Sequence, residues 1–145
     1  MMLNGQCLCG EIKFQLHQKI KTVYQCHCSL CKKQSGTHAN HATMINQQYF
    51  EWLQGISLIQ TYRKASGFCS CFCTQCGSPV PNQIGSSVYM WIPLGLLESV
   101  TAPEQRVNFC LSSKADWEVS GSASTTTDYM ELPSWTELSL LFDAE

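Results

Sequence analysis

Polar and apolar residues alternate with period two along residues 11–16, Glu-Ile-Lys-Phe-Gln-Leu, immediately after Cys9-Gly10. Successive side chains of a strand point to opposite faces, so this pattern predicts a β-strand with one buried face. Residues 41–45, 57–62, 87–92 and 106–111 have strand length and are rich in β-branched or aromatic side chains, and they too read as strands. Gly55, Gly67, Gly77-Ser78-Pro79, Gly85 and Pro93-Leu94-Gly95 punctuate them. Helix signal is confined to residues 29–34, 47–54 and 112–117. Residues 120–128, low in hydrophobicity and rich in Ser and Thr, read as a polar loop ahead of the C-terminal segment 135–142. With no repeat and no linker, the expectation is a mainly β, compact single domain over residues 1–145.

Composition narrows the functional classes. A chain of 145 residues can bury a moderate apolar core and does not need disulfides merely to fold. Nine Lys and Arg against eleven Asp and Glu give a net charge of -2, with no broad positive surface for phosphate backbones or anionic lipid. Nucleic acid is therefore disfavoured as a partner. Residues 1–5 carry neither a basic n-region nor an apolar h-region, and no apolar run is long enough to span a bilayer. The expectation is a cytoplasmic protein without a membrane segment.

The candidate chemistry lies in ten cysteines, most of them in tight clusters: Cys7-x-Cys9, Cys26-x-Cys28-x2-Cys31 and a run ending in Cys73-x2-Cys76-Gly77. Disulfides are one use of such a set, but they persist in oxidising compartments and no export signal is present. Thiolates on zinc fit better. Cys73-x2-Cys76-Gly77 resembles a zinc knuckle, in which a turn brings two sulfurs to one ion and the glycine relieves the tight backbone. Cys7 and Cys9 can supply the other two ligands, because closing a long loop costs only logarithmically more than closing a short one. A closed four-thiolate site is structural.

Cys26, Cys28 and Cys31 can hold an ion on three sides. Three protein ligands with an exchangeable fourth position is the arrangement of catalytic zinc. The alternatives are a fourth ligand, such as Cys69, Cys71 or a histidine, that closes the site, and an iron–sulfur cluster on four of the thiolates.

Taken in order, Gly5-x-Cys7-x-Cys9-Gly10, Cys26-His27-Cys28-x2-Cys31-Lys32-Lys33-x-Ser35-Gly36, Gly55, Tyr62, Phe72-Cys73-x2-Cys76-Gly77-Ser78 and Trp117 resemble the glutathione-dependent formaldehyde-activating enzyme (Gfa) and centromere protein V family, over about residues 5–120. The resemblance implies an Mss4-like β fold with two zinc ions. It implies a structural zinc on Cys7, Cys9, Cys73 and Cys76, and a catalytic zinc on Cys26, Cys28 and Cys31. It also implies carbon–sulfur lyase chemistry on an adduct of glutathione, or another small thiol, with an aldehyde such as formaldehyde. The centromere-associated relatives imply a second reading, a noncatalytic zinc module that binds a partner.

Thiolates on zinc leave net negative charge, so cations should stand nearby. Lys32 and Lys33, directly after Cys31, are the candidates for that role or for the carboxylates of glutathione. His27 points away from the metal if the backbone is extended there; His38 and His41 are near enough to the Ser35-Gly36 turn to line a pocket. Family members often carry an arginine shortly before the Phe-Cys-x2-Cys-Gly segment, where this chain reads Phe68-Cys69-Ser70-Cys71-Phe72-Cys73. As a strand, that segment puts Cys69, Cys71 and Cys73 on one face. Cys69 and Cys71 then act as a redox pair or as small buried hydrophobes, and Cys110 reads as core.

Overall fold

The computed structural model describes residues 2–100, 102–118 and 126–143. Its strands are β1 (Leu3–Gln6), β2 (Lys13–Leu16), β3 (Thr22–Cys26), β4 (Asn40–Asn46), β5 (Phe50–Gln54), β6 (Ile59–Arg63), β7 (Cys69–Cys73), β8 (Asn82–Gln83), β9 (Tyr89–Pro93), β10 (Gln105–Phe109) and β11 (Thr126–Asp128). Helix α1 spans Ser29–Ser35, and α2 spans Trp135–Phe142. The fold is mainly β, as expected.

Six strands form one sheet in the order β11-β10-β3-β4-β9-β8; β1-β2-β5 and β6-β7 form two smaller sheets. β3 lies centrally, parallel to β10 and antiparallel to β4. Four of its five residues are buried. A strand covered on both faces loses the alternation that marks a half-exposed one, which is why residues 22–26 show no periodic signal in the sequence. On one side Tyr24 packs against Phe109 of β10 and Phe142 of α2, at ring separations of 4.9 and 5.6 Å.

Helix α2 begins at Ser134, whose Oγ accepts from the Glu137 N–H at 3.3 Å. Ser134-x-x-Glu137 is the sequence signature of a helix start. Leu138, Leu141 and Phe142 are then turned into the core, and the Thr22 hydroxyl donates to the Leu141 carbonyl.

The expected helix over residues 47–54 is a correction. Only Gln47–Tyr49 makes a helical turn, of the 3-10 kind, and Phe50–Gln54 is strand β5 paired with β2. Period-two aromatics decided it: Phe50 and Trp52 share a face and enclose Phe14, with Phe50 stacked on Phe14 at 5.6 Å and Trp52 at 6.2 Å. Phe14 has no exposed surface, and burying a side chain of that size contributes about 2–3 kcal/mol. The chain can turn out of β5 because Gly55 has φ 83° and no side chain; a Cβ there would stand 2.3 Å from the Glu11 carbonyl oxygen.

Residues 112–117 likewise form no continuous helix, only a 3-10 turn at Leu111–Ser113. Of the expected loop 120–128, residues 120–125 lie outside the described residues, and Thr126–Asp128 is strand β11, parallel to β10. The other expected strands appear within two residues of their predicted positions. Among the described residues no helix is long and apolar enough to cross a membrane.

Candidate metal centre

The turn after β1 carries Cys7 and Cys9, closed by the Gly10 N–H on the Cys7 carbonyl at 3.0 Å. The end of β7 carries Cys73, and a second turn, closed by the Gly77 N–H on the Cys73 carbonyl at 2.8 Å, returns Cys76 beside it. Ser78 joins the turns: its Oγ accepts from the Leu8 N–H at 2.9 Å and from the Cys76 thiol at 3.4 Å. All four sulfurs lie within 4.8 Å of one another. Cys7 and Cys9 are 3.6 Å apart, and Cys9 and Cys73, 64 positions apart in sequence, are 3.8 Å apart. Four sulfurs at ~2.3 Å from one tetrahedral ion are ~3.8 Å from each other, so this donor set fits zinc. No disulfide competes, since all ten cysteines are free thiols.

Cys26, Cys28 and Cys31 form the second set, also within 4.8 Å of one another. Cys26 ends β3, and Cys28 is the N-cap of α1, its Sγ accepting from the Cys31 N–H at 3.3 Å. A cap bonds the backbone three residues on, and that local geometry brings the Cys28 and Cys31 sulfurs together. Among the described residues no further Cys, His, Asp or Glu completes this set.

Without a cation each cluster shares its charge unevenly. Hydrogen bonds from Cys26 and then Cys31 hold the Cys28 thiol far below its ordinary value. Bonding to Cys28 and Cys31, and then burial, pushes Cys26 far up. Cys31 rises to about 12, because a lowering contact with Cys26 is outweighed by the bond to Cys28 and by burial. In the four-thiol cluster Cys76 falls to about 5: burial raises it, but its hydrogen bonding with the Ser78 side chain and backbone prevails. Crowded thiolates repel, and a divalent cation is what allows every sulfur of a set to ionise together.

The three-thiol set opens into a cavity of about 380 Å³ walled by Tyr24, Met44, Phe68, Trp91 and Leu132. Its described lining contains no Lys, Arg, His, Asp or Glu. Lys32 and Lys33 instead border a separate hollow with Trp117, and Lys32 Nζ donates to the Ser113 carbonyl at 2.7 Å. Cys69 reaches the thiolate cavity, whereas Cys71 is buried with Cys7, Ile12, Cys73 and Val80 and contacts the Thr61 hydroxyl at 3.2 Å. The redox-pair reading of Cys69 and Cys71 thus meets two thiols in different surroundings.

Cys110 departs from the core position expected of it. Strand β10 stops at Phe109 and Cys110 takes φ 58°, which breaks the alternation. The thiol is half-buried in the cavity wall, 3.9 Å from the Cys26 sulfur. His27 does point away from the sulfurs, as extended backbone requires, and neither it nor His38 nor His41 lines the thiolate cavity.

A family model described as glutathione-dependent formaldehyde-activating enzyme matches residues 2–113, which include all seven clustered cysteines. The chain belongs to this family. No curated protein matches this Gfa-family chain. Among solved structures it is similar to the crystal structure of a Rhodobacter sphaeroides protein, at 19% identity and a TM-score of 0.54, covering 68% of this chain and 90% of the other. At that identity the likeness concerns the fold.

Proposed function

We propose that this Gfa-family protein is a zinc-dependent carbon–sulfur lyase acting on the adduct of a small thiol and an aldehyde, of the S-hydroxymethylglutathione type. Two zinc ions per chain are part of the reading: one held by Cys7, Cys9, Cys73 and Cys76, the other by Cys26, Cys28 and Cys31. The observation that carries it is a three-thiol set, with no fourth described donor, facing a cavity. A cavity at that position gives a small adduct room to reach the ion. The proposal includes one domain over residues 1–145 and a cytoplasmic setting, where thiols stay reduced.

Zinc bound by the three thiolates would supply Lewis acidity and lower the pKa of a thiol or an adduct oxygen at its remaining position. The chain's own residues do the rest. Cys26, Cys28 and Cys31 fix where that position lies, and the walls of Tyr24, Met44, Phe68 and Trp91 offer the aldehyde carbon a largely apolar contact surface. In the forward sense the carbon–sulfur bond forms between the thiol sulfur and the carbonyl carbon, and the thiol proton ends on the carbonyl oxygen. The reverse breaks that bond and returns the proton to sulfur.

The uncharged lining favours an adduct that is uncharged near its reacting carbon. Glutathione carries its carboxylates away from the sulfur, so they would lie outside the described walls; Lys32 and Lys33, across α1, stay proposals for holding them. The test is exchange spectroscopy by NMR on zinc-loaded protein with formaldehyde and either glutathione or a small apolar thiol. Accelerated adduct exchange with at least one thiol is expected, and no acceleration with either would overturn the reading.

A further inference from the structure

His27 is 1% exposed, flanked in sequence by two of the thiols, and used by neither thiolate set. Its Nδ1 lies 3.2 Å from the Phe109 carbonyl oxygen. A carbonyl only accepts, so Nδ1 carries the hydrogen, and Nε2 is the ring atom left to act as a ligand when the ring is neutral. That atom faces Glu118 Oε1 at 3.2 Å. A carboxylate oxygen also only accepts. Both atoms are sealed from solvent, and among the described residues neither has a hydrogen-bond partner. A charged imidazolium would be expected to point its N–H along the contact.

Two buried acceptors turned toward each other need something positive between them. A third donor stands beside them. The ligand atoms of His27, His38 and Glu118 all lie within 4.8 Å of one another, and the two imidazole rings are 6.0 Å apart. We propose that His27, His38 and Glu118 bind a divalent first-row cation, zinc being the natural candidate, at a third metal site separate from both thiolate clusters. Two imidazoles and one carboxylate form a borderline donor set that suits such ions. Metal–nitrogen and metal–oxygen bonds of ~2.0–2.2 Å place the donors of a tetrahedral ion ~3.3–3.6 Å apart, and the observed 3.2 Å stands just below that interval.

The site ties together three stretches of chain. His27 lies between β3 and α1, His38 before β4, and Glu118 at the end of the described stretch 102–118. His41 packs its ring edge-on to His38 at 5.6 Å, and Trp117 covers His38 at 6.3 Å, both outside the donor set. Because His27 separates Cys26 from Cys28, an ion here also steadies the backbone that presents those thiols. The inference stands independently of the lyase reading.

Replacement of bound zinc in the folded protein by equilibration against excess Co²⁺, followed by absorption and by equilibrium metal count, tests it. Thiolate-bound cobalt shows intense sulfur-to-metal charge transfer, whereas cobalt on nitrogen and oxygen shows only weak ligand-field bands. The wild type is expected to bind one equivalent more than the charge-transfer intensity accounts for. Glu118→Gln and His38→Gln are each expected to lose that equivalent and keep the thiolate bands. Cobalt uptake by the wild type that the thiolate bands account for in full would overturn the proposal, whatever the variants do. So would retention of the additional equivalent at unchanged affinity in both variants.

Discussion

The Cys110 sulfur stands 3.9 Å from that of Cys26, in the wall of the cavity that the three-thiol set faces. Burial, ahead of a lowering hydrogen bond from Cys26 and the charges of Cys28 and Glu131, pushes the Cys110 thiol up, so it favours the neutral form. Its backbone has φ 58°, where most side chains are strained and glycine is not. Cys110→Gly should therefore keep the metal content of the wild type and raise stability by up to about 1 kcal/mol. Metal analysis of the purified variant checks the first half. Loss of one zinc would make Cys110 a fourth ligand and close the site.

The two thiolate sets should respond differently to the same chemical change. Cys73 has no exposed surface and staples β7 to the turn after β1. Structural zinc contributes on the order of 10 kcal/mol to folding, so Cys73→Ser should unfold the chain, as should a strong chelator. Cys28→Ser, at a half-buried position beside the cavity, should lose one zinc and retain the native far-UV circular dichroism. Equal unfolding of both variants would remove the division between a structural and an open site.

Gly55→Ala should be costly without touching either metal. The added methyl would stand 2.3 Å from the Glu11 carbonyl oxygen and 2.8 Å from the Ile12 Cα, at φ 83°. Strain and overpacking together should cost about 2–4 kcal/mol, read as a lower urea midpoint with an unchanged slope. A neutral substitution would mean that β2 and β5 are free to move apart here.

Alkaline stability should depend on Tyr89. Its hydroxyl donates to Asp143 Oδ1 at 2.7 Å. Burial first, and then that bond and the carboxylate's charge, push the phenol from 10 up to about 12. The folded chain thus keeps a proton that the unfolded chain releases. The stability this contributes is complete below the unfolded value and is lost as pH rises from about 10 to 12. Urea midpoints across that window should fall more steeply for the wild type than for Tyr89→Phe; parallel curves would show that the bond to Asp143 does not hold the proton.

Local signals account for most of the sequence reading. Alternation over residues 11–16 marks β2, and the two turns that present Cys7, Cys9, Cys73 and Cys76 follow from glycines and spacing. Ser134-x-x-Glu137 was available as a helix signal for α2. β3 was not legible, because a strand buried on both faces has no periodic mark. β5 was misread as helix because the preference of Phe50 and Trp52 was settled by Phe14, a residue on another strand.

What the sequence determined by itself was the identity of the metal ligands as candidates, since thiols one turn apart converge by local geometry whatever surrounds them. Tertiary structure alone decided what those ligands face. Strand pairing brought Cys110 and an uncharged wall to the three-thiol set, put Lys32 and Lys33 elsewhere, and set Glu118 against His27. The meetings of Cys110 with Cys26, Lys32 with Ser113 and Glu118 with His27 join residues more than eighty positions apart, and no short-range pattern in a chain encodes contacts made only when its sheets close.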